Sequence, residues 1–309
     1  MTLVHNPSAG EGRPSAKDLT AILTEAGLQT RYVSSDEDWK KAVAKRTDVV
    51  VAAGGDGTVA KVLLRMQQRP TPVALLPLGT ANNVARTLGV IGDVREIAGS
   101  WRVAAVSPFD VGRLRAPWGE AHFVESFGGG AFAETILRGR EEVENSKAIA
   151  GPESDRALLL LREIVQAARP RRWRVAVDGQ DLSGDYLAVE ALNTRFVGPN
   201  VPLAPAADPG DGLLDLVLIG EADREALLEH LNGRLELAAA LPPRLAAHRG
   251  RRIELAVEAP FPPLHLDDDV IGQELGSLAR ATEAAFVLDL DPGAVKLLGA
   301  ELPAAPAER

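Results

Sequence analysis

The sequence predicts a doubly wound, mostly parallel α/β domain at the N-terminus followed by an antiparallel β-sandwich domain. Three observations carry that prediction. Over the first hundred residues short apolar runs alternate with segments of helical period; from about Ser107 the pattern changes to period-two alternation broken by turn residues; and 309 residues exceed the length that one core usually serves.

The elements follow in order. "TLVH" (residues 2–5) leads through "NPSAGEGRP" into a helix whose Leu19, Ile22, Leu23 and Ala26 fall at i, i+3, i+4 and i+7. "TRYVS" precedes a helix expected from near Asp36, and "DVVVAA" one carrying Val59, Val62, Leu63 and Met66. "PVALLP" precedes a fourth with Val84, Ala85 and Leu88. Continuous apolar strands joined by amphipathic helices imply a parallel sheet covered on both faces, with ligands at the carboxyl ends of its strands. Beyond Ser107, "WRVAV" before the turn "DGQ", then "DYLAVEAL", "GLLDLVLI", "RIELAVEA" and "AAFVLDL" read as antiparallel strands, interrupted by helices at about 154–168 and 222–239. "DPGAVKLLGA" reads as a short final helix and "LPAAPAER" as a frayed end.

Composition narrows the function classes. With 46% hydrophobic and 25% charged residues and no run of about 20 apolar residues, nothing predicts a membrane span. The N-terminus lacks a basic region followed by an apolar run, and cysteine is absent, which excludes thiolate catalysis and zinc–thiolate sites and makes a cytoplasmic location the expectation. The net charge of −9 argues against nucleic acid as a partner. The balance is uneven, however: 13 Lys and Arg face 10 Asp and Glu in residues 1–108, against 19 and 29 in residues 109–288. A mildly basic first part suits a polyanionic ligand.

Three strand-to-helix loops carry the chemistry. In Gly54-Gly55-Asp56-Gly57-Thr58 the glycines admit close backbone approach and the helix start offers N–H groups to an anion. Asp56 would repel a bare phosphate, and fits best if it orients metal-bound water or an attacking hydroxyl; the pentapeptide also suits a tight turn with Asp56 as N-cap. In "LLPLGTANNVART" Gly79 turns the chain, while Thr80, Asn82 and Asn83 present hydroxyl and amide groups suited to phosphate or ribose, or to helix capping alone. "HNPSAG" is the third loop. The five histidines (His5, His122, His230, His248 and His265) show no paired ligand spacing, so structural or exposed roles are expected of them. The arginine runs at 169–174 and 248–252 suit anionic head groups or solvated faces equally.

The succession "NPSAG", "GGDGTVAKV", "PLGTANNVAR", "APAADPGDGLLDLVLI" and "LHLDDDVIG" resembles the diacylglycerol kinase catalytic family, which includes bacterial lipid kinases and sphingosine kinases. "GGDGT" is shared with NAD kinases and phosphofructokinases; the later motifs narrow the match. The resemblance implies an ATP-binding domain over residues 1–107, to which residues 289–309 return, and a lipid-substrate sandwich over residues 108–288. It places the nucleotide at Asn6, Ser34, Gly54, Gly55, Asp56, Gly57, Thr58 and Thr80. It also implies Mg²⁺ at the Asp211 carboxylate with the backbone of Asp208 and Leu213, a turn that by its residues alone offers oxygen ligands or a plain acidic hairpin.

Where the family usually has Asp-Gly-Glu, the glutamate being general base, this chain has Asp267-Asp268-Asp269. The resemblance thus assigns the base to Asp269, with Asp267 beside it and Asp56 organising metal and water. Aspartate reaches about 1 Å less than glutamate, and misplacement on that scale can cost roughly 10²-fold in rate. The triplet also reads as a solvated acidic loop. Asn83 and Glu125 depart from the family's usual Asp and Asn. The implied function is ATP- and Mg²⁺-dependent phosphorylation of a diacylglycerol-like or long-chain lipid, with acyl chains in the apolar sandwich and transient contact at the membrane surface, peripheral to the inner face. The alternatives are a catalytically degenerate lipid- or nucleotide-binding member and an NAD kinase-like enzyme; oligomeric state, a homodimer included, stays open.

Overall fold

Four buried apolar runs become neighbouring parallel strands because each is followed by a helix that returns the chain to the same end of the sheet. In the computed structural model, which describes residues 1–12, 14–144, 153–237, 240–272, 276 and 281–300, these are β1 (Thr2–His5), α1 (Ala16–Glu25), β2 (Arg31–Ser34), α2 (Trp39–Ala44), β3 (Val50–Gly54), α3 (Asp56–Met66), β4 (Val73–Pro77), α4 (Asn83–Thr87) and α5 (Val94–Ser100). Thr2 is in register with Arg31 on one side and Val50 on the other, and Val50 with Val73, giving the order β2-β1-β3-β4. The order reverses between β1 and β3, and the carboxyl edge of such a reversal is where open α/β sheets bind ligands. Ser15 caps α1 reciprocally with Asp18. The helix expected from Asp36 begins three residues later, at Trp39, because the Asp36 N–H is engaged by the Ser34 hydroxyl.

The remaining elements are β5 (Val106–Ala116), β6 (Gly119–Phe123), β7 (Ser126–Gly130), α6 (Ala131–Glu144), α7 (Glu153–Ala167), β8 (Arg171–Val177), β9 (Gln180–Asp181), β10 (Gly184–Tyr186), β11 (Ala188–Leu192), β12 (Leu214–Ile219), α8 (Arg224–Leu237), β13 (Ala247–Gly250), β14 (Ile253–Glu258), β15 (Leu264–Leu266), β16 (Asp269–Val270) and β17 (Glu283–Leu298). The chain divides into two compact units. The first holds Met1–Val111, Asp208–Asp211 and the segment from Asp291; the second holds Gly112–Ala207 and Gly212–Leu290.

Within the second unit, strands in the order β13-β12-β11-β7-β15-β16 form one antiparallel sheet, and β10, β8, β14 and the first part of β17 form the other. Phe127, Val189, Trp173, Leu255 and Phe286 meet between them, so side chains fill the sandwich interior. Alternation along β11 sends Val189 and Ala191 into that interior, while Ala188 and Leu192 join Leu161 and Leu231 of α7 and α8 on the opposite face. The strand is buried on both faces, hence its nearly continuous apolar sequence.

Two further expectations are corrected. "DYLAVEAL" is not one strand: β10 pairs with β8 and β11 with β7 and β12, so the chain changes sheets at Leu187, which an alternation pattern alone does not reveal. "DPGAVKLLGA" is not a helix but the end of β17, where Leu297 pairs parallel with Val73 and the Ala294 carbonyl accepts the Gln68 N–H at 2.7 Å. The helix expected over 222–239 is α8, preceded by a 3₁₀ turn at Glu221–Asp223; residues 238–239 and the 302–309 tail lie outside the described residues. Among the described residues no helix is long and apolar enough to cross a membrane.

Candidate active site

In the first unit the loops leaving β1, β3 and β4 touch backbone to backbone. A Cβ on Gly55 would stand 3.2 Å from the Gly79 Cα, and one on Gly79 would collide with the Gly55 Cα. Leu78 N–H donates to the Gly54 carbonyl at 2.9 Å, Asn6 N–H to the Ala53 carbonyl at 2.9 Å, and a Cβ on Gly10, at φ +60°, would lie 3.0 Å from the Leu78 oxygen. Asn6 accepts the Ser8 N–H at 3.0 Å, and Ser34, buried opposite His5 in register, accepts from Asp36. Asn6, Ser34, Gly54–Thr58 and the Gly79–Asn83 loop therefore share the carboxyl edge of one sheet. Gly57 and Thr80 are exposed there; Asn83 is buried.

Two side chains shape this edge differently from the sequence expectation. Gly55, not Asp56, is the N-cap of α3. Asp56, only 7% exposed, instead accepts the Val84 N–H at 3.2 Å in the first turn of α4, so one carboxylate ties two loop-helix junctions together. Asn82, left-handed at φ 52°, folds back on its own loop: its Oδ1 accepts the Gly79 N–H at 2.9 Å and its Nδ2 donates to the Gly79 carbonyl at 2.6 Å. Its amide thus fixes the glycine turn.

The acidic triplet stands in the second unit, on the turn between β15 and β16. Asp267 is left-handed at φ 49°, a conformation aspartate tolerates. Its carboxylate accepts from Val124 N–H at 3.0 Å, Glu125 N–H at 2.7 Å and Ser126 N–H at 3.3 Å. Burial pushes this carboxyl up to about 6 against the pull of those three donors. Asp269 differs in kind. Its side chain is 83% exposed and pairs with Arg140 of α6 at 2.8 Å, the same guanidinium donating to the Asp268 carbonyl at 2.7 Å. Glu125 is buried at the turn that receives Asp267.

The Asp208 carboxylate accepts the Gly210 N–H at 2.9 Å and its carbonyl the Asp211 N–H at 3.3 Å, forming a turn continued by Gly212 at φ +75°. Asp211 is exposed; Asp208 and Asp211 belong to the first unit and Leu213 to the second. No cluster of three acidic or histidine side chains capable of holding a metal occurs among the described residues. Asp211 thus offers one exposed carboxylate, an oxygen ligand of the kind a hard cation takes. In the arginine runs, Arg174 pairs with Glu283, Arg252 with Glu254 at 2.8 Å and Arg171 with the Pro260 carbonyl.

Sequence reasoning missed Arg140 and the buried partners of the acidic turn, Glu190 and His265. The available signals were a lone glutamate in the apolar "AVEAL" and a histidine two residues before Asp267.

Comparison with known proteins agrees with this architecture. The family model for the diacylglycerol kinase catalytic domain matches residues 1–114, and that for the YegS C-terminal NAD kinase beta sandwich-like domain matches residues 141–299. The diacylglycerol kinase of Bacillus subtilis (strain 168) is 28% identical over 234 residues, 72% of this chain and 74% of its own. A YegS-like lipid kinase of Klebsiella pneumoniae (strain 342) is 30% identical over 237 residues, 72% of this chain and 75% of its own. A diacylglycerol kinase crystal structure from Bacillus anthracis str. Sterne shares the fold at TM-score 0.66 and 17% identity, covering 99% of this chain and 97% of that one. Another from the same organism superposes at TM-score 0.72 and 21% identity, covering 99% and 96%. The two domain matches in tandem, an α/β unit with a glycine-lined carboxyl edge and an antiparallel sandwich bearing the acidic turn place the chain in the diacylglycerol kinase catalytic domain family.

Proposed function

We propose that the protein transfers the γ-phosphoryl group of ATP to the hydroxyl of a diacylglycerol-like or long-chain lipid. The observation that carries this is the backbone contact of Gly55 with Gly79 at the sheet's carboxyl edge: with no Cβ in the way, N–H groups of two loops can reach the oxygens of a polyphosphate. Thr58 and Thr80 add hydroxyl donors, while Asp56 and Asn82 hold the loops so that the donors need not reorganise.

In the reaction the lipid oxygen bonds to the γ-phosphorus as the bond to the bridging oxygen breaks, leaving ADP. The hydroxyl proton passes to Asp269. Asp269 suits that role better than Asp267, whose carboxylate is already engaged by three N–H donors; the Arg140 guanidinium on Asp269 Oδ1 leaves Oδ2 as proton acceptor. Asp211, with the backbone of Asp208 and Leu213, would hold Mg²⁺, which would supply charge neutralisation for the phosphates. Trp173, Phe127 and Phe286 pack together between the sheets, which favours acyl chains lying against the sandwich rather than within that core, and the enzyme would meet its substrate transiently at the bilayer surface.

Incubating the purified chain with γ-labelled ATP, Mg²⁺ and a total lipid extract tests the reading. A labelled lipid is expected; absence of any labelled product would leave a nucleotide- or lipid-binding protein. Asp269→Asn should lower turnover by roughly 10²–10⁴-fold while ATP affinity, measured by calorimetry, stays within about twofold.

A further inference from the structure

Gly128 sits at the middle of β7, in register with Glu190 of β11 on one side and His265 of β15 on the other. Neighbouring strands lie about 4.8 Å apart, so residues flanking a third strand are ordinarily separated by its side chain. Here there is none, and a Cβ on Gly128 would overlap the Glu190 carboxylate. Across that gap Glu190 Oε2 meets His265 Nε2 at 2.9 Å, both side chains 0% exposed. The other ring nitrogen, Nδ1, lies 2.8 Å from the Asp267 carbonyl oxygen.

Each nitrogen of His265 thus faces an acceptor, and a neutral imidazole carries only one N–H. Donating to both acceptors requires a second proton on the ring. Burial disfavours the charged ring, but the Glu190 carboxylate, with help from the Asp267 carbonyl, outweighs it and raises His265 to about 9. The consequence reaches the acidic turn. The Asp267 carbonyl is fixed by His265, its carboxylate by three consecutive N–H groups and the Asp268 carbonyl by Arg140, so the backbone leading to Asp269 is fastened at the two residues before it, and Arg140 also holds the Asp269 side chain.

We propose that the Glu190–His265 pair, joined across Gly128, is a positioning device for the Asp267–Asp269 turn and acts on phosphoryl transfer through Asp269. It rests on the kinase reading above. His265 touches no substrate atom in this role; it sets where the Asp269 carboxylate stands. A displacement on the order of 1 Å at a catalytic base costs about 10²-fold in rate, which is the effect expected on losing the pair.

The test is a double-mutant cycle in kcat with His265→Gln and Asp269→Asn in the full-length chain. His265→Gln should lower kcat about 10²-fold in the wild-type background and less than threefold in the Asp269→Asn background, since no carboxylate remains there to be placed. An equal loss in both backgrounds would mean a general structural role and overturn the inference, as would an unchanged kcat in the single variant. Should His265→Gln not fold, Glu190→Gln, which can still hydrogen-bond Nε2, enters the same cycle against Glu190→Leu. Turnover above that of Glu190→Leu supports the inference and equal turnover opposes it. Ring-¹⁵N spectra of the wild-type chain give a readout independent of activity: both His265 nitrogens protonated at pH 7 is expected, and a single protonated nitrogen overturns it. A wild-type chain that phosphorylates no lipid defeats the kinase reading and this inference with it, whereas an active wild type with additive losses defeats the inference alone.

Discussion

Gly79 and Gly55 set the tightest constraint at the scale of single residues. Neither needs a left-handed backbone; each is glycine because the other's backbone occupies the place of a side chain. Gly79→Ala must therefore push two loops apart. Overpacking of this kind costs roughly 1–3 kcal/mol, and the expected result is a lower urea midpoint together with at least tenfold weaker ATP binding by calorimetry. Binding within twofold of wild type would remove the glycine contact from the nucleotide argument. This part of the candidate site was legible in the sequence because glycines at a strand end have few structural uses. The Glu190–His265 pair was not, because its meaning depends on which residue of which strand stands beside Gly128, and cross-strand register has no signature in a single strand. Asp56 shows the intermediate case: its position was readable, but its hydrogen-bond partner belongs to α4, a different helix.

At the scale of elements, the α/β unit follows the alternation of apolar runs and helical periods closely, since each strand and the helix after it are local in sequence. Difficulty arises where an element is decided by distant partners. The end of β17 carries Val295 and Leu297 buried and Lys296 exposed between them, a period of two that Asp291-Pro292-Gly293 and neighbouring leucines disguise as a helix start. What makes it a strand is the open edge of β4, where Leu297 pairs with Val73. Leu297 is 1% exposed, so Leu297→Ala should cost about 2–5 kcal/mol in denaturant unfolding, and Lys296→Ala, on the exposed side, less than about 0.5 kcal/mol. Val295 and Leu297 would lie about 200° apart on a helix, so a helical tail packed on one stripe could not bury both, and Val295→Ala should cost about as much as Leu297→Ala.

At the scale of the whole molecule, buried titrating groups give folding stability a pH dependence of definite sign. His265 is raised to about 9 in the folded chain from 6.5, so between those values the folded state binds more protons than the unfolded one and stability falls as pH rises. Its contribution is full below about 6.5 and lost as pH passes through about 9. The acid side is mixed. Asp267, raised to about 6 by burial, adds stability as pH falls from there toward its ordinary value of 3.8, while His5 and His230, lowered by burial, resist protonation and lose stability below 6.5. Asp289, whose carboxylate is held down by Arg113 and Arg115 against the cost of its burial, also loses stability in acid. The alkaline window therefore isolates one pair. Urea midpoints measured from pH 6.5 to 9.5 should decline for the wild type and stay nearly level for His265→Gln, with Glu190→Gln also flattened because the carboxylate that holds the proton on the ring is gone. A wild-type midpoint constant across that range would mean that His265 is neutral in the folded chain, and the charge assigned to the Gly128 crossing would be wrong.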